Sequence, residues 1–449
     1  MNKENKMGTM PVKQLIISMS LPMMISMLVQ ALYNVVDSIF VSRIGEDALT
    51  AVTLAFPLQN LMIAVGSGTG VGINALLSRS LGEKRFDKSD SAANCGLLLT
   101  VFNYLIFLII GVFFSRAFIS TQTASGHIID FGTTYITIIC CFSFALFMQM
   151  TLERLLQSTG KTVFSMISQA TGAVINIIFD PLLIFGIGPF PELGVAGAAY
   201  ATILGQLIAS LIGLFCNVRF NKEITLSLRN IFHPQKETIG EIYYVGIPSI
   251  LMMSIGSVMT YLMNRILGTF SSTATAVFGV YFKLQSFFFM PVFGLNNGLI
   301  PVLAYNYGAR KKDRIVEALR FALVLALSIM LIGAITFLSI PRPLLTLFNA
   351  SEDMMVIGVP ALRTICLSFP LAGICIAMGS IFQAFSKSFY SLIVSVGRQL
   401  VVLIPIAWLL SKTGVLSLVW WAFPAAELAS LALSTYYFMK LYRETVAKL

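Results

Sequence analysis

Long uncharged apolar runs constrain this chain more than any other feature of its sequence. The first reaches from Gln14 to Val36, and similar runs recur along the whole length. A run of about 18 or more apolar residues is long enough to cross a bilayer as a helix. Only 11% of the residues are charged, against about 25% in a soluble domain. The sequence therefore predicts an all-α, polytopic membrane protein.

Charged residues separate these runs into twelve predicted spans, which we number in chain order. The predicted bounds are 14–41, 48–79, 90–115, 128–153, 162–187, 193–218, 239–266, 272–306, 315–340, 354–385, 388–411 and 415–440.

The distribution of basic residues predicts the orientation of the chain. With the N-terminus inside, 22 of the 30 Lys and Arg residues fall in inner segments and 4 in outer loops. Cytoplasmic loops of membrane proteins carry such an excess. We therefore expect a multi-pass protein of the cytoplasmic (inner) membrane with both termini cytoplasmic. The net charge of +10 is then a topology signal. No nucleic-acid partner is expected, because no loop is long enough to form a folded basic surface.

The two halves of the chain resemble each other. The longest predicted loop lies near the middle, and an offset of 226 residues aligns Gly82 with Gly308. Leu-Gly-Glu-Lys-Arg-x-Asp after span 2 matches Tyr-Gly-Ala-Arg-Lys-x-Asp after span 8. Six spans per half make the repeats parallel, related by an axis along the membrane normal, with the substrate path between them. The predicted units are an N-terminal six-helix lobe, 1–218, a cytoplasmic loop, 219–241, and a C-terminal six-helix lobe, 242–449.

The feature inside a span with the largest free-energy cost is the stretch Asn176-Ile-Ile-Phe-Asp180-Pro181. A carboxylate is costly in the bilayer. Pro181 cannot donate to the carbonyl one turn earlier, which frees that oxygen as a ligand or makes the position a hinge. A rise of about 1.5 Å per residue puts Asp180, Thr202 and Asp37 roughly 10–12 Å below the outer surface. Asn176 lies one turn deeper than Asp180 on the same helix face.

Four oxygen-bearing side chains from spans 1, 5 and 6 are thus expected to converge. Hard cations such as Na⁺ prefer such oxygens, and two carboxylates in a dry site also favour binding of a proton. The predicted coupling site for Na⁺ or H⁺ comprises Asp37, Asn176, Asp180 and Thr202, with Pro181 as a hinge. No cofactor and no metal beyond a coupling Na⁺ are expected. The alternative for each group alone is a structural hydrogen bond between helices.

The second half lacks these groups, since the same offset places Met263, Val402 and Ile406 at the equivalent positions. It carries other ionisable residues instead, and a buried pair such as Lys283–Glu427 would avoid a lone buried charge. Glu153 and Arg154 lie near an inner end and are expected to snorkel towards water. The predicted residues of a substrate path or gate are Gln30, Tyr33, Gln206, Lys283, Arg398 and Glu427.

Two motifs carry a family resemblance. Asn176-Ile-Ile-Phe-Asp180-Pro181-Leu-Leu-Ile-Phe-Gly186 and Gly194-Val-Ala-Gly-Ala-Ala-Tyr-Ala-Thr202, together with twelve spans in two halves, resemble the multidrug and toxic compound extrusion (MATE) family. The likeness is greatest to its DinF-like branch and runs from Leu15 to Tyr437.

The resemblance implies an antiporter, not an enzyme, that exports amphipathic, often cationic organic compounds by alternating access of two lobes. Carried over by position, the family's coupling residues in the N-terminal lobe are the four named above. Another branch places acidic ligands in the C-terminal lobe. Within the predicted spans 7, 8 and 10 the sole acidic residue is Glu241, at the inner end of span 7, so that site is not transferred. The implied partners are a small organic substrate and membrane lipid, with the protein as a monomer.

Two other functions compete with this one. A flippase for a lipid-linked precursor, from the wider superfamily, would favour several bases in first-lobe spans, where acids stand instead. An intramembrane aspartyl protease would use Asp37 and Asp180 to activate water. This sequence has no Gly-x-Gly-Asp around either aspartate, and two parallel six-span halves fit transport better.

Overall fold

The fold is a bundle of membrane-spanning helices, as the sequence predicts. The computed structural model describes residues 4–449, so Lys3, counted above among the inner basic residues, lies outside it. The described residues hold eleven candidate spans and one bent pair of helices that together make a twelfth. In order, the spans are Val12–Ser42, Glu46–Gly82, Phe86–Phe113, Gly126–Cys141 with Phe144–Ser158, Thr162–Phe185, Val195–Phe220, Lys236–Gly268, Ser272–Gly308, Lys312–Ser339, Glu352–Ala384, Ser388–Ser411 and Leu416–Lys448.

The connection between the lobes is shorter than the predicted 219–241. Span 6 continues to Phe220 and span 7 already begins at Lys236, and a short helix, Leu228–Phe232, lies between them. Glu237 in the first turn of span 7 favours this early start, because a negative charge stabilises the N-terminus of a helix. Hydropathy alone misses such polar turns, since they extend beyond the apolar run.

Three spans depart from a regular α-helix. Span 4 bends by 46° between its two helices. Span 10 contains a 3₁₀ turn, Cys366–Ser368, just before Pro370. Span 11 contains a π-helical segment, Gly397–Leu403. π-Helical turns are rare and occur frequently at functional sites.

Glycines bring the two lobes together in a reciprocal pattern. A Cβ on Gly68 would lie 2.8 Å from the backbone nitrogen of Ile250, and one on Gly294 would lie 2.6 Å from the Cα of Met24. These two contacts exchange under the 226-residue offset. Likewise, a Cβ on the glycine at 82 would collide with the carbonyl at 305, and one at 308 with the carbonyl at 79. Each lobe thus presents the same glycines to the same places on its partner, as a pseudo-two-fold axis requires.

The contacts of the glycines at 82 and 308 lie at one end of the bundle, which we call the basic end because the turns after spans 2 and 8, at 83–88 and 309–314, are there; the contacts of Gly68 and Gly294 lie nearer the middle of their spans. Lys88 Nζ pairs with Glu241 Oε1 across the lobes at 2.7 Å. Ser20 Oγ donates to the carbonyl of Leu295 at 3.4 Å. Within residues 4–449, the interlobe hydrogen bonds are confined to this end. The lobes are therefore sealed together there.

The N-terminal segment, residues 4–10, packs under this seal. Arg314 Nη2 donates to the carbonyl of Met7 at 3.0 Å and to that of Met10 at 2.7 Å. On the other side, Asn5 Nδ2 donates to the carbonyl of Thr159 at 2.9 Å. Because Arg314 belongs to the second lobe and Thr159 to the first, the segment spans both lobes at the basic end.

An ion pair holds the beginning of this segment. Lys311 Nζ donates to Glu4 Oε1 at 2.7 Å and to the carbonyl of Gly8 at 2.9 Å. The hydrogen bond from Lys311 lowers the pKa of Glu4 below its usual value, so the pair persists when other exposed carboxylates begin to protonate. Glu4 is exposed, and such pairs contribute little to stability.

Candidate coupling site in the first lobe

The structure brings the predicted site residues of spans 5 and 6 together in the interior of the first lobe. Asp180 is fully buried, and Asn176 and Thr202 are each 3% exposed. With the Asn176 amide assigned the orientation that satisfies both of its ends, Nδ2 donates to Asp180 Oδ2 at 3.0 Å, and Oδ1 accepts from the backbone N–H of Thr202 at 2.9 Å and from its hydroxyl at 3.1 Å. The amide of Asn176 therefore positions the Asp180 carboxyl from one turn below.

Span 1 supplies the second carboxyl group. The side chain of Asp37 lies within hydrogen-bonding reach of Asp180. Oδ1 of Asp37 and Oδ1 of Asp180 are both buried and both lack a hydrogen-bond partner among the described residues. Two acceptor groups that face each other with free oxygens need a shared proton or a cation to be stable.

Aromatic and amide side chains cover this pair. Tyr33 lies close to both carboxyl groups and within hydrogen-bonding reach of Thr202. Tyr135, from the first helix of span 4, is 2% exposed. It also lies beside the carboxyl groups, and its hydroxyl is within reach of Gln59 on span 2.

Sequence reasoning missed Tyr135 and Gln59. Each is a polar group in an apolar span, and a depth count would have placed Tyr135 near the level of the carboxyl groups but could not have shown that its helix face turns towards them. Tyr135 and Gln59 also line a cavity of about 10 Å³ whose other lining side chains are apolar. That volume is about enough for one water molecule.

The arrangement can bind a small cation. It offers carboxylate oxygens from Asp37 and Asp180, an amide oxygen from Asn176 and a hydroxyl from Thr202, in a place shielded from water. These are the ligand types that hard cations prefer. The same two carboxyl groups can instead hold one proton between them. The geometry therefore accommodates either predicted coupling ion.

The helix continues through Pro181, although the proline has no N–H to donate to the carbonyl one turn earlier. Span 5 runs continuously from Thr162 to Phe185 and ends at Gly186, whose φ of +67° is the left-handed conformation common after helices. Pro181 lies only four residues before that end, where neighbouring groups tolerate a missing N–H. Its role as a hinge remains a prediction.

The predicted path residues occupy different surroundings. Gln30 Oε1 accepts from Gln169 Nε2 at 3.1 Å, within the first lobe. Gln206 Oε1 is buried without a partner in the described chain. The suggested Lys283–Glu427 pair is wrong. Glu427 Oε1 instead accepts from Arg398 Nη1 at 3.0 Å, and Lys283 is exposed. Helix rotation decides this pairing, and depth alone could not reveal it.

The expectation that Glu153 and Arg154 snorkel is also wrong. They are 7% and 8% exposed. Arg154 Nη1 donates to Gln157 Oε1 at 2.9 Å and to Asn297 Oδ1 of the second lobe at 3.2 Å, and Nη2 donates to Ser67 Oγ at 3.2 Å. The seal between the lobes covers this helix end, so the charge binds protein groups in place of water.

Twelve spans in two pseudo-symmetric lobes, with a buried oxygen-lined site inside one lobe, define a polytopic helical membrane protein built like a secondary transporter. A family profile described as MatE matches residues 22–182 and 248–409. The chain belongs to this family of multidrug efflux transporters. It is therefore a multi-pass membrane transporter and not an enzyme, which sets aside the protease alternative.

Curated relatives and solved structures agree with this assignment. The multidrug export protein MepA of Staphylococcus haemolyticus is 29% identical over 91% of this chain and 89% of its own length. MepA of Staphylococcus aureus is 25% identical over 94% and 92%. A crystal structure of MATE in complex with MaL6 has a TM-score of 0.93 at 25% identity and covers 100% of both chains.

A further solved structure has a different described role. It is a MOP superfamily transporter from Pyrococcus furiosus, for which a reversed polarity of the binding pocket suggests a different function. Its TM-score is 0.88 at 26% identity, over 100% of this chain and 99% of its own. The same fold thus accompanies pockets of different charge, and the substrate must be argued from the residues of this chain.

Proposed function

We propose that this protein is a secondary antiporter that exports amphipathic, often cationic organic compounds, driven by inward movement of Na⁺ or H⁺. The observation that carries the proposal is the pair of facing carboxyl groups, each with a buried oxygen that lacks a partner. A purely structural polar cluster satisfies its buried atoms. A transport site must instead release its ion, so its ligands are incompletely satisfied when the ion is absent.

The basic end of the bundle faces the cytoplasm in this proposal, because cytoplasmic loops carry the excess of Lys and Arg. Both termini are then cytoplasmic, in the cell membrane. The seal at the basic end makes the described conformation outward-facing. One relative with a TM-score of 0.92 is described as an outward-facing MATE transporter, which supports this interpretation.

The cycle follows from these two features. An ion arriving from outside binds between Asp37 and Asp180, with Asn176 and Thr202 completing the oxygen set. Binding neutralises a buried negative charge and allows the first lobe to repack, with Pro181 as the bending point. The lobes then rock about the pseudo-two-fold axis, and the basic end opens to release the ion and admit substrate.

The residues predicted for the substrate path border this route. Gln30, Tyr33 and Gln206 lie in the first lobe on the substrate path, and Lys283 offers an exposed charge in span 8. The protein acts as a monomer in membrane lipid and needs no cofactor beyond its coupling ion.

The test is gradient-driven efflux from liposomes. Purified protein is reconstituted, and efflux of a cationic dye is followed under an Na⁺ gradient and an H⁺ gradient applied separately. Wild type should respond to one of them. Asp180→Asn should lose the response, and Asp37→Asn should lose part of it.

The matched control is Asp130→Asn, which removes an exposed carboxylate paired with Arg116 and should transport normally. Absence of any gradient response in wild type, or normal coupling in Asp180→Asn, would refute the proposal.

The alternative of a flippase for a lipid-linked precursor needs a strongly basic cavity. In the first-lobe spans the buried base is Arg154, which already binds Gln157, Ser67 and Asn297. One engaged guanidinium is too little positive charge for a pyrophosphate. Dye efflux without a requirement for added lipid-linked precursor would separate the two functions.

A further inference from the structure

The second lobe contains a polar seam of its own, between spans 11 and 12. Arg398 Nη1 and Glu427 Oε1 are 3.0 Å apart. The two side chains differ in exposure, 28% for Arg398 and 11% for Glu427. Arg398 therefore lies on the accessible side of the pair and Glu427 lies behind it.

The carboxylate of Glu427 is only half satisfied. Oε1 binds Arg398, but Oε2 is buried and has no hydrogen-bond partner in the described part of the chain. Tyr281 of span 8 and Cys375 of span 10 lie close to the pair. Neither donates to Oε2 in this conformation. A buried carboxylate oxygen without a donor is costly, so Glu427 lacks one hydrogen-bond donor in this conformation.

The backbone around Arg398 is irregular in a way that fits a moving side chain. Arg398 lies at the second position of the π-helical segment Gly397–Leu403. Such segments are rare and recur at functional sites. The next residue, Gln399, is held by a hydrogen bond, since its Nε2 donates to Ser395 Oγ at 3.0 Å. The irregular turn thus carries Arg398 while its neighbour is fixed.

Pseudo-symmetry relates this seam to the coupling site. Under the 226-residue offset, Glu427 falls on Ala201, next to Thr202, and the π-helical segment falls on residues 171–177, which include Asn176. Both lobes therefore place their polar groups between the fifth and sixth helices. In the first lobe Asp180 of the fifth helix is joined by Asp37 of the first helix, whereas the second lobe has one carboxylate with a tethered cation.

We propose that Glu427 is a binding subsite for the protonated amine, or another cationic N–H donor, of the transported compound. Arg398 occupies the subsite when it is empty and swings aside when the compound binds. This exchange keeps the buried carboxylate paired throughout, which avoids the large penalty for an uncompensated charge. The inference rests on the proposed function only in taking organic cations as substrates, because binding itself requires no ion gradient.

The test is equilibrium binding of ethidium, a fluorescent cation with N–H donors, to the purified full-length protein without any gradient. Glu427→Gln keeps the shape but removes the charge and should weaken binding by about tenfold or more. Arg398→Met removes the competing cation and should strengthen binding. The matched control is Glu444→Gln, which changes an exposed residue of the same helix and should bind as wild type does.

Two results would overturn the subsite. One is wild-type affinity in Glu427→Gln, and the other is a loss in Arg398→Met as large as that in Glu427→Gln, which would make Arg398 a structural support or a direct ligand. If Glu427→Gln is too unstable to purify, the double variant with Arg398→Met leaves no unpaired charge. It should bind ethidium as weakly as expected for the single variant, and wild-type affinity would again refute the subsite.

The outcomes also separate this inference from the coupling proposal. Loss of ethidium binding in Glu427→Gln, together with no gradient response in wild-type liposomes, would retain the subsite and reject ion coupling. Normal gradient-driven transport with wild-type ethidium binding in Glu427→Gln would do the reverse.

Discussion

The hydrogen bond between Arg154 of the first lobe and Asn297 of the second should measurably stabilise the state that is closed at the basic end. Arg154 donates to three acceptors, and only Asn297 belongs to the opposite lobe. The substitution Asn297→Ala removes that acceptor and leaves the bonds to Gln157 and Ser67 in place. The change therefore acts on the contact between the lobes and not on the fold of the first lobe.

The expected size follows from the geometry. Hydrogen bonds to a charged group contribute about 1.5–3 kcal/mol. The N–O distance of 3.2 Å is at the long end of the usual range, so we take about 1.5 kcal/mol. Since 1.4 kcal/mol corresponds to a factor of ten, the ratio of open to closed molecules at the basic end should rise by about tenfold.

Pulsed electron paramagnetic resonance can measure this ratio. Spin labels are placed at Asp87 and Asp313, which are exposed at the basic end, one in each lobe, and exchange under the 226-residue offset. Asn297→Ala should increase the population at long distance. Ser67→Ala removes a bond to the same guanidinium within one lobe and is the control. An unchanged distance distribution in Asn297→Ala, or an equal shift in Ser67→Ala, would refute the reasoning.

Three further predictions concern the seal and the site. Gly82→Ala places a Cβ against the backbone of the opposite lobe and should lengthen the same label distance; an unchanged distance would contradict the glycine contact. Arg314→Ala removes the donor to the carbonyl of Met7, so the N-terminal segment should exchange its amide hydrogens faster, and unchanged protection would oppose this. Tyr135→Phe removes a hydroxyl within reach of Gln59. It should weaken the ion dependence of dye efflux by about two- to tenfold, and an unaltered dependence would exclude the hydroxyl from the site.

The sequence determined the number, order and approximate bounds of the spans. Length and the absence of charge are local properties of the chain, and the bilayer translates them directly into helices. It also indicated the depth of Asp37, Asp180 and Thr202, because each residue advances a helix by a fixed rise. The structure places these side chains together, while their role in coupling awaits the liposome experiment.

The tertiary structure decided which side chains face each other. Depth gives a residue's level but not the rotation of its helix, so the sequence suggested Lys283 as the partner of Glu427 where the fold selects Arg398. The same limit hid Tyr135 beside the carboxyl groups. The burial of Arg154 has a different cause, because a helix end is solvated only if nothing covers it. Docking of the second lobe covers that end, and no property of the first lobe's sequence reveals the contact.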